Sequence, residues 1–332
     1  MTVLVTGAAG FIGFHVAKTL LARGEDVIGV DNLNDYYDVN LKKARLAQLQ
    51  DHAHFRFQKV DLADFEALRD GLAKAGIDRI VHLAAQAGVR YSLTHPHAYL
   101  HANITGHLNV LELARQLSPF THLVYASSSS VYGGNTKLPF AETDRVDTPV
   151  SLYAATKKAD ELISQCYSHL YRIPQTGLRF FTVYGPWGRP DMAMWQFTDA
   201  IIKGEPIKVF NHGDMRRDFT FIDDIVAGVI ACLDHPPVDD GREYLAGSNA
   251  PHRVYNIGNH RSEPLMRMIE VLERAIGRDA VKQMEPMQPG DVKETYADID
   301  AIQRDTGYAP TTPIDVGVPA FVTWFKHYHG LN

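Results

Sequence analysis

Short apolar runs alternate with amphipathic segments through the first 181 of the 332 residues. The apolar runs contain many β-branched and aromatic residues, and they predict strands at residues 3–5, 26–31, 55–57, 80–83, 122–125 and 177–181. Between them lie segments with apolar residues at helical spacing, the first over residues 11–23. Apolar strands separated by helices are typical of parallel sheets with crossover connections. We therefore predict an α/β fold built on a doubly wound parallel sheet.

The pattern changes after residue 182, where prolines become frequent and the segments become shorter and less regular. We expect a smaller C-terminal substrate-binding domain there. The apolar helical segment over residues 223–233 differs from its surroundings and is expected to pack back on the main sheet. The predicted division assigns residues 1–181, with 219–259 packing back, to the sheet domain, and residues 182–218 with 260–332 to the smaller domain.

Composition and charge exclude several classes of partner. The chain is 45% hydrophobic with a formal net charge of −6, so no global field attracts nucleic acid or an anionic membrane. Apolar stretches are far shorter than the roughly 20 residues of a membrane span, and the first residues lack the pattern of a signal peptide. Cys166 and Cys232 lie in apolar helical patterns and are predicted to be buried free thiols. We expect a cytoplasmic protein.

A glycine-rich turn over residues 6–13 lies between the first predicted strand and the first predicted helix. Gly7 permits a tight turn, Gly10 lets the backbone approach a pyrophosphate, and Gly13 lets the helix pack closely on the sheet. The helix N-terminus would direct N–H groups and its positive dipole at the phosphates. This strand–turn–helix context favours a Rossmann dinucleotide site over a turn that is merely tight.

Acidic residues follow the second and third predicted strands. Asp31 can accept hydrogen bonds from the adenosine ribose hydroxyls and would repel a 2′-phosphate. Residues 32–34 include no arginine to neutralise one, so NAD is favoured over NADP. Asp61 and Leu62 are placed to reach the adenine, but the sequence is nearly as consistent with Asp61 as a solvated cap on the next helix.

Three residues could move a proton beside such a cofactor. Tyr153 and Lys157 are spaced i, i+4 and would share a helix face. Ser128 belongs to four serines at the end of a strand, where open α/β sheets bind ligands. A tyrosine has an ordinary pKa of about 10 and is a poor base at neutral pH, but a nearby ammonium and a positive nicotinamide ring favour the phenolate. A surface helix contact and an ordinary serine-rich turn are the alternatives.

These motifs resemble the extended short-chain dehydrogenase/reductases, and in particular the NAD-dependent nucleotide-sugar epimerases, over nearly the full chain. The similar positions are residues 6–13, 82–85, Asn103, Ser127, Ser128, Tyr153, Lys157 and residues 217–224. Longer strings at residues 31–37, 85–92 and 189–193 resemble the UDP-glucuronate 4-epimerase branch. The resemblance implies an isomerase that epimerises C4 of UDP-glucuronate to UDP-galacturonate through a transient 4-keto sugar, with NAD retained throughout.

The same resemblance implies roles for individual residues. Catalysis is assigned to Ser128, Tyr153 and Lys157. The expected NAD site comprises Gly7, Gly10, Phe11, Ile12, Gly13, Asp31, Asn32, Asp61, Leu62, Leu83, Ala84, Ala85, Gln86, Tyr153 and Lys157. The expected UDP-sugar contacts are Arg90, Ser128, Ser129, Thr182, Arg189, Arg217 and Asp291. A homodimer formed through helices of the main domain is implied as well, and the 16 histidines lack the partners of a metal site, so no metal is expected.

Departures from related branches narrow the reaction. The 4,6-dehydratases carry an Asp-Glu pair where Ser129 and Ser130 stand, and decarboxylating relatives carry a Glu at the position of Ser130. Galactose-type epimerases usually have Asn in place of Thr182. A 4-keto uronate nevertheless loses carbon dioxide easily. UDP-glucuronate decarboxylase therefore stays as an alternative reaction. UDP-glucose 4-epimerase stays as an alternative as well.

Arginines supply the local positive charge that an acidic chain needs for an anionic substrate. Arg189 is assigned to the sugar carboxylate and Arg90 to the substrate side of the cofactor, because a guanidinium fork binds carboxylates and phosphates. The two arginines could exchange these roles, and Arg189 could instead form a local ion pair with Asp191. By resemblance, Arg217 contacts the pyrophosphate and Asp291 contacts a ribose.

Overall fold

The fold is seen in a computed structural model that describes residues 1–72, 74–244, 247–288 and 291–331. Its strands are β1 (Thr2–Thr6), β2 (Asp26–Asp31), β3 (Phe55–Lys59), β4 (Ile77–His82), β5 (His122–Ser128), β6 (Gln175–Phe180), β7 (Thr182–Tyr184), β8 (Pro206–Val209), β9 (Arg216–Arg217), β10 (Phe219–Phe221), β11 (His252–Ile257), β12 (Glu263–Pro264) and β13 (Val281–Met284). Seven of them form one parallel sheet in the order β11-β6-β5-β4-β1-β2-β3. The predicted doubly wound sheet is confirmed, and its strand order reverses between β1 and β4.

Helices cover both faces of this sheet. They are α1 (Phe11–Ala22), α2 (Val39–Gln50), α3 (Phe65–Leu72), α4 (Tyr91–Thr94), α5 (Pro96–Tyr99), α6 (Gly106–Gln116), α7 (Leu152–Tyr171), α8 (Ala193–Lys203), α9 (Ile222–Asp234), α10 (Leu265–Ile276), α11 (Asp300–Thr306) and α12 (Ile314–Tyr328). A π-helical turn at Leu100–Thr105 joins α5 to α6. Among the described helices, none is both long enough and apolar enough to cross a bilayer.

The two faces of the sheet bury separate apolar clusters. In β1, Val3 and Val5 pack with α1, α2 and α9, whereas Leu4 packs with α3 and α6 on the opposite face. Successive strand residues point to opposite faces, so a strand covered on both sides is apolar throughout. This is why β1 is recognisable from three consecutive apolar residues. The six predicted strands are β1 to β6, and β11 is a seventh that was not predicted.

Apart from α9 and β11, which pack against or extend the main sheet, the chain beyond β6 forms a smaller, less regular part. Its strands are short pairs, β7 with β10, β8 with β13 and β9 with β12, and α10 packs against both α8 and α12. The apolar cluster that lies under α1 and α9 continues without a break into this part, as far as Phe325 of α12. The two parts are therefore joined by a shared core.

One prediction about the cysteines is wrong. Cys232 is buried in α9 as expected, but Cys166 is exposed on α7. Cys166 lies one turn after Leu162 and one turn before Leu170, which are 59% and 60% exposed. Helical spacing shows that these three residues share a face, but it does not show whether that face meets the sheet.

A buried ion pair attaches α7 to the sheet. Arg179 of β6 donates from Nε and Nη2 to the two carboxylate oxygens of Glu161, at 2.8 and 2.9 Å. Ser127 of β5 donates to the same carboxylate at 2.7 Å, and Arg179 also donates to the Tyr132 hydroxyl at 3.0 Å. Burial alone would raise the pKa of Glu161, but these partners hold it below its usual range.

Removing one member of this pair should destabilise the protein strongly. Glu161→Leu leaves the Arg179 guanidinium buried without its carboxylate, and we expect a loss of about 3–5 kcal/mol in the free energy of unfolding. The double variant Glu161→Leu/Arg179→Met removes both charges and should lose less. Urea unfolding measures both values. Equal losses in the single and double variants would show that the uncompensated charge is not the cause.

Candidate functional site

A cleft of about 250 Å³ opens at the carboxyl edge of the sheet, beside the point where the strand order reverses. Its walls include all fifteen residues of the expected NAD site, from Gly7 to Lys157. Ser128 and Arg189 line the same cleft. The structure therefore brings the glycine-rich turn, the acidic residues after β2 and β3, and the Ser/Tyr/Lys set into one space.

The glycine-rich turn has room for a phosphate because it lacks side chains. Gly7 has a φ of 72° and lies against the segment that follows β4, where a Cβ would approach the Ala84 amide nitrogen to 2.8 Å. A Cβ on Gly13 would overlap the Gly7 carbonyl oxygen. Gly10 precedes α1, so no side chain covers the N–H groups of the first helical turn. These features fit a dinucleotide pyrophosphate at the N-terminus of α1.

The Asp31 carboxylate is fixed by the backbone around it. It accepts hydrogen bonds from Ala9 N at 3.2 Å and Leu33 N at 2.8 Å, and it forms part of the cleft wall. Lys42 of α2 also lines the cleft, and its ammonium donates to the backbone and side-chain oxygens of Asn34 at 2.7 and 2.6 Å. Burial lowers the pKa of Lys42. This cation was not predicted, since no spacing relates it to the second strand.

The helix that follows β3 is capped by Asp64, whose Oδ1 accepts a hydrogen bond from Ala67 N at 3.1 Å, so the interpretation of Asp61 as that cap is wrong. Asp61 lies in the turn between β3 and this helix. Its carboxylate accepts a hydrogen bond from Ala63 N at 2.9 Å, which closes the turn after β3. Asn32 Nδ2 donates to it at 3.2 Å, and His101 Nε2 lies 3.3 Å away. Burial alone would raise the pKa of Asp61, but these hydrogen bonds hold it below its usual range. The same residue lines the cleft.

Tyr153 and Lys157 occupy the first two turns of α7. Ser151 caps this helix by accepting a hydrogen bond from Ala154 N at 3.1 Å. Ser128 ends β5, and its hydroxyl oxygen accepts a hydrogen bond from Ser130 N at 3.1 Å. The three predicted catalytic residues therefore come from a strand end and a capped helix start that face the same cleft.

The Lys157 ammonium is held at a defined place. Nζ donates to the Ala126 carbonyl of β5 and to Asp160 Oδ2, both at 3.0 Å. The Tyr153 ring packs edge-on against Tyr99, with ring centroids 6.0 Å apart. Lys157 is therefore held by hydrogen bonds, and Tyr153 packs against a neighbouring aromatic ring. Both side chains line the cleft.

Asn103 connects the cleft wall to α7. Its Oδ1 accepts from Gln86 N at 2.8 Å, and its Nδ2 donates to Gln86 O at 3.1 Å and Thr156 Oγ1 at 3.0 Å. Asn103 is buried in the π-helical turn, an irregularity that often accompanies functional sites. It positions the loop after β4, although the expected site residues do not include it.

A second cavity of about 150 Å³ is lined by residues that directly follow residues of the first cavity in the chain. Ser128 and Phe181 line the first cavity, and the residues that follow each of them, Ser129 and Thr182, line the second. Arg217 and Asp291 lie in its wall. Four of the expected substrate residues therefore form one neighbouring space.

The two arginines differ in position. Arg90 lines neither cavity; its guanidinium is at the rim, 3.6 Å from Asp291 Oδ2 and over the Phe210 ring. Arg189 lines the first cavity and donates from Nε and Nη2 to the two oxygens of Asp191, at 2.9 and 2.5 Å. Burial alone would raise the pKa of Asp191, but Arg189 holds it below its usual range. The local ion pair considered from the sequence is present.

Arg45 links the glycine-rich turn to the loop that carries Arg189. It is fully buried and donates to Ala9 O at 2.9 Å, Trp187 O at 2.7 Å and Gly188 O at 3.1 Å. Neither Arg45 nor Tyr36, which donates to Asp191 at 3.1 Å, was predicted. Tyr36 lies in the resembling string at residues 31–37, whereas Arg45 has no signal in the sequence.

Metal ligation is not supported within the described ranges. No group of three or more His, Cys, Asp or Glu side chains lies together there as a metal site requires. Several histidines are instead buried in hydrogen bonds, as His82 is with Thr6 at 2.7 Å. Burial lowers the pKa of His82 to about 3, which keeps the ring neutral.

Known proteins are similar to this chain over almost its full length. It is 48% identical to the probable UDP-glucuronate 4-epimerase of Rhizobium meliloti (strain 1021), over 98% of this chain and 97% of that protein. It is 49% identical to UDP-glucuronate 4-epimerase 4 of Arabidopsis thaliana, over 99% of this chain and 76% of that protein.

A solved structure agrees with these sequences. The crystal structure of UDP-glucuronic acid 4-epimerase from Bacillus cereus, in complex with UDP-glucuronic acid and NAD, has a TM-score of 0.88 at 32% identity. The match covers 99% of this chain and 100% of that chain. The model of the NAD dependent epimerase/dehydratase family matches residues 3–258. The chain therefore belongs to the NAD dependent epimerase/dehydratase family.

Proposed function

We propose that this protein is an isomerase that interconverts UDP-glucuronate and UDP-galacturonate by epimerisation at C4, with NAD as a retained cofactor. The observation that carries the proposal is the convergence of Ser128, Tyr153 and Lys157 on the cleft that contains the glycine-rich turn and Asp31. The relatives named as UDP-glucuronate 4-epimerases, similar over nearly the whole chain, support the substrate.

The cleft residues fit NAD. Gly7, Gly10 and Gly13, with the N-terminus of α1, would bind the pyrophosphate, and Asp31 would accept hydrogen bonds from the adenosine ribose. The remaining contacts would come from Phe11, Ile12, Asn32, Asp61, Leu62, Leu83, Ala84, Ala85, Gln86, Tyr153 and Lys157. Bound NAD supplies the oxidation and subsequent reduction of the sugar C4.

The side chains move the proton. Tyr153, as phenolate, removes the proton of the 4-hydroxyl, and the Lys157 ammonium stabilises the phenolate charge. Ser128 donates a hydrogen bond to the same sugar oxygen. After the 4-keto sugar has presented its other face, Tyr153 returns the proton to O4. The proton and both electrons return to the sugar, so no net oxidation occurs.

The substrate side is assigned to the second cavity and its rim. Arg217 would bind the pyrophosphate of the UDP-sugar and Asp291 a ribose, while Ser129 and Thr182 would contact the sugar. Arg189 would bind the carboxylate in competition with Asp191, and Arg90 would contact the substrate from the rim. Hydroxyl groups at Ser129 and Thr182, rather than an acid, suit a reaction that leaves C5 undisturbed.

We propose that different parts of the chain bind the two ligands. Residues 1–181 with 219–259 would bind NAD, and residues 182–218 with 260–332 would bind the nucleotide sugar. Two structural facts support the division: α9 packs against α1, and β11 extends the main sheet. A cytoplasmic location is proposed from Cys166 and Cys232, which are both free.

We also propose that the protein forms a homodimer through α6, α7 and the π-helical turn. Leu162 and Leu170 share an exposed face of α7 with Cys166, and Leu100 and Leu108 are exposed on the neighbouring helix, 46% and 37% respectively. Grouped apolar side chains on adjacent helices are typical of an oligomer interface.

The reaction and the role of Tyr153 can be tested together. Incubation of the purified protein with UDP-glucuronate and no added cofactor should give UDP-galacturonate by product NMR. Tyr153→Phe removes the proton acceptor and should lower kcat at least about a hundredfold, whereas Tyr171→Phe, at the exposed end of the same helix, should not. A UDP-pentose product would indicate a decarboxylase, and turnover in Tyr153→Phe near the wild-type rate would remove Tyr153 from this role.

Discrimination between UDP-glucuronate and UDP-glucose, which differ in the sugar carboxylate, should depend on Arg189. Loss of a charged fork costs about 1.5–3 kcal/mol per hydrogen bond, so Arg189→Ala should lower the ratio of kcat/KM for UDP-glucuronate over UDP-glucose at least about tenfold. Arg145→Ala is the matched control, because Arg145 also pairs with an acid two residues later, Asp147, but is exposed. An unchanged ratio in Arg189→Ala would contradict the carboxylate assignment.

The proposed dimer interface predicts that a charged substitution within it changes the mass of the protein in solution. Leu162→Asp introduces a charge into the exposed face of α7 and should convert a dimer to a monomer in light scattering coupled to size exclusion. Val316→Asp, at an equally exposed apolar residue of α12, should leave the mass unchanged. A monomeric wild-type protein, or an unaffected Leu162→Asp dimer, would contradict the interface.

A further inference from the structure

Asp160 is a buried carboxylate that none of the assigned roles uses. It lies one helical turn after Lys157 on α7 and is fully buried. Its Oδ2 accepts a hydrogen bond from Lys157 Nζ at 3.0 Å, while Oδ1 has no hydrogen-bond partner among the described residues. A buried carboxylate with an unpartnered oxygen is costly. The side-chain hydrogen bond that it makes within the described residues is to the Lys157 ammonium.

The groups around this carboxylate leave Lys157 as its charge partner. Glu161, its neighbour on α7, is already compensated by Arg179. Tyr125 of β5 faces the Asp160 carboxylate, whereas His107 of α6 faces the Asp160 backbone. Burial lowers the pKa of His107 well below its ordinary value and raises the pKa of Tyr125 well above, so both are neutral at ordinary pH.

Lys157 has three N–H groups to distribute. One donates to Ala126 O and one to Asp160 Oδ2, which anchors the ammonium between β5 and α7. The third is left for the cleft, which Lys157 lines together with Tyr153. The anion on Asp160 also opposes the positive charge that Lys157 presents to the cleft.

We propose that Asp160 is a positioning residue that fixes the Lys157 ammonium and, as an anion, weakens the positive charge that Lys157 presents to the proton acceptor in the cleft. The proposal rests on the proton-transfer role of Tyr153 proposed above. The sign follows from the charges. An anion beside Lys157 opposes the positive charge that supports proton removal from the sugar, so a neutral residue at position 160 should let activity persist to lower pH.

Acidification should remove the negative charge of Asp160 within the pH range in which activity is measured. Burial raises the pKa of Asp160 to about 6, although the Lys157 charge opposes that shift. As the pH falls through this value Asp160 is neutralised, the Lys157 charge acts in the cleft unopposed, and part of the activity that acid would remove is retained. The acidic limb of the wild-type activity profile should therefore fall less steeply than tenfold per pH unit between about pH 5 and 7.

The test is the pH dependence of kcat for wild type, Asp160→Asn and Asp160→Glu. Asp160→Asn keeps a hydrogen-bond acceptor for Lys157 but no charge, so its acidic limb should move to lower pH by about one unit and fall tenfold per unit. Asp160→Glu keeps the charge and should retain the shallow wild-type limb. Asp199→Asn, which removes the same charge from an exposed ion pair with Lys203 on α8, should match wild type.

Each outcome decides the proposal. An Asp160→Asn profile that superimposes on wild type, or an equal shift in Asp160→Glu, would overturn it. If no neutral variant folds, a wild-type limb that falls a full tenfold per pH unit from pH 7 to 5 overturns it, and a shallow limb supports it. Substantial turnover in Tyr153→Phe would instead refute the proposed function itself, so the two failures are distinguishable.

Discussion

The place of α7 on the sheet depends on the buried ion pair between Glu161 and Arg179. Tyr153 and Lys157 project from the same helix one to two turns before Glu161. A shift at the contact between Glu161 and Arg179 would therefore move both side chains together. Ser127, which donates to the same carboxylate, immediately precedes Ser128 in β5. One desolvated contact therefore orients all three groups of the proposed reaction, and a site built on a strand and a helix holds its geometry more closely than one built on loops.

Two of the cations that line the cleft are paired with carboxylates of the same chain. Lys157 has Asp160 and Arg189 has Asp191, each within hydrogen-bond distance. The two pairs differ in what they allow. Asp160 is fully buried and does not line the cleft, so an incoming ligand does not replace it as the partner of Lys157. Arg189 lines the cavity, and an incoming anion can take the place of its partner. Preorganised charges of this kind reduce the reorganisation that accompanies a reaction.

Much of the fold and cofactor cleft follows from the sequence, because apolar runs report buried strands and glycines report close approaches of the backbone. Strand β11 was missed because polar residues, such as His252 and Asn256, interrupt its apolar pattern. Arg45 contacts elements that are distant in the sequence, so no spacing indicates its role. Asp160 follows Lys157 at i, i+3, but that spacing does not show that the pair is buried. Cys166 was misplaced for a related reason, since periodicity identifies a helix face without identifying what covers it.

The unbroken apolar core that runs from the main sheet to α12 has a mechanical consequence. Opening the molecule between its two parts would expose that core to water, so a large hinge movement at every turnover would be expensive. Inversion at C4 nevertheless requires a pyranose to show both faces to one stationary surface. For the proposed reaction we therefore expect the sugar to turn about its phosphate linkage while the shared core holds the two parts of the protein together.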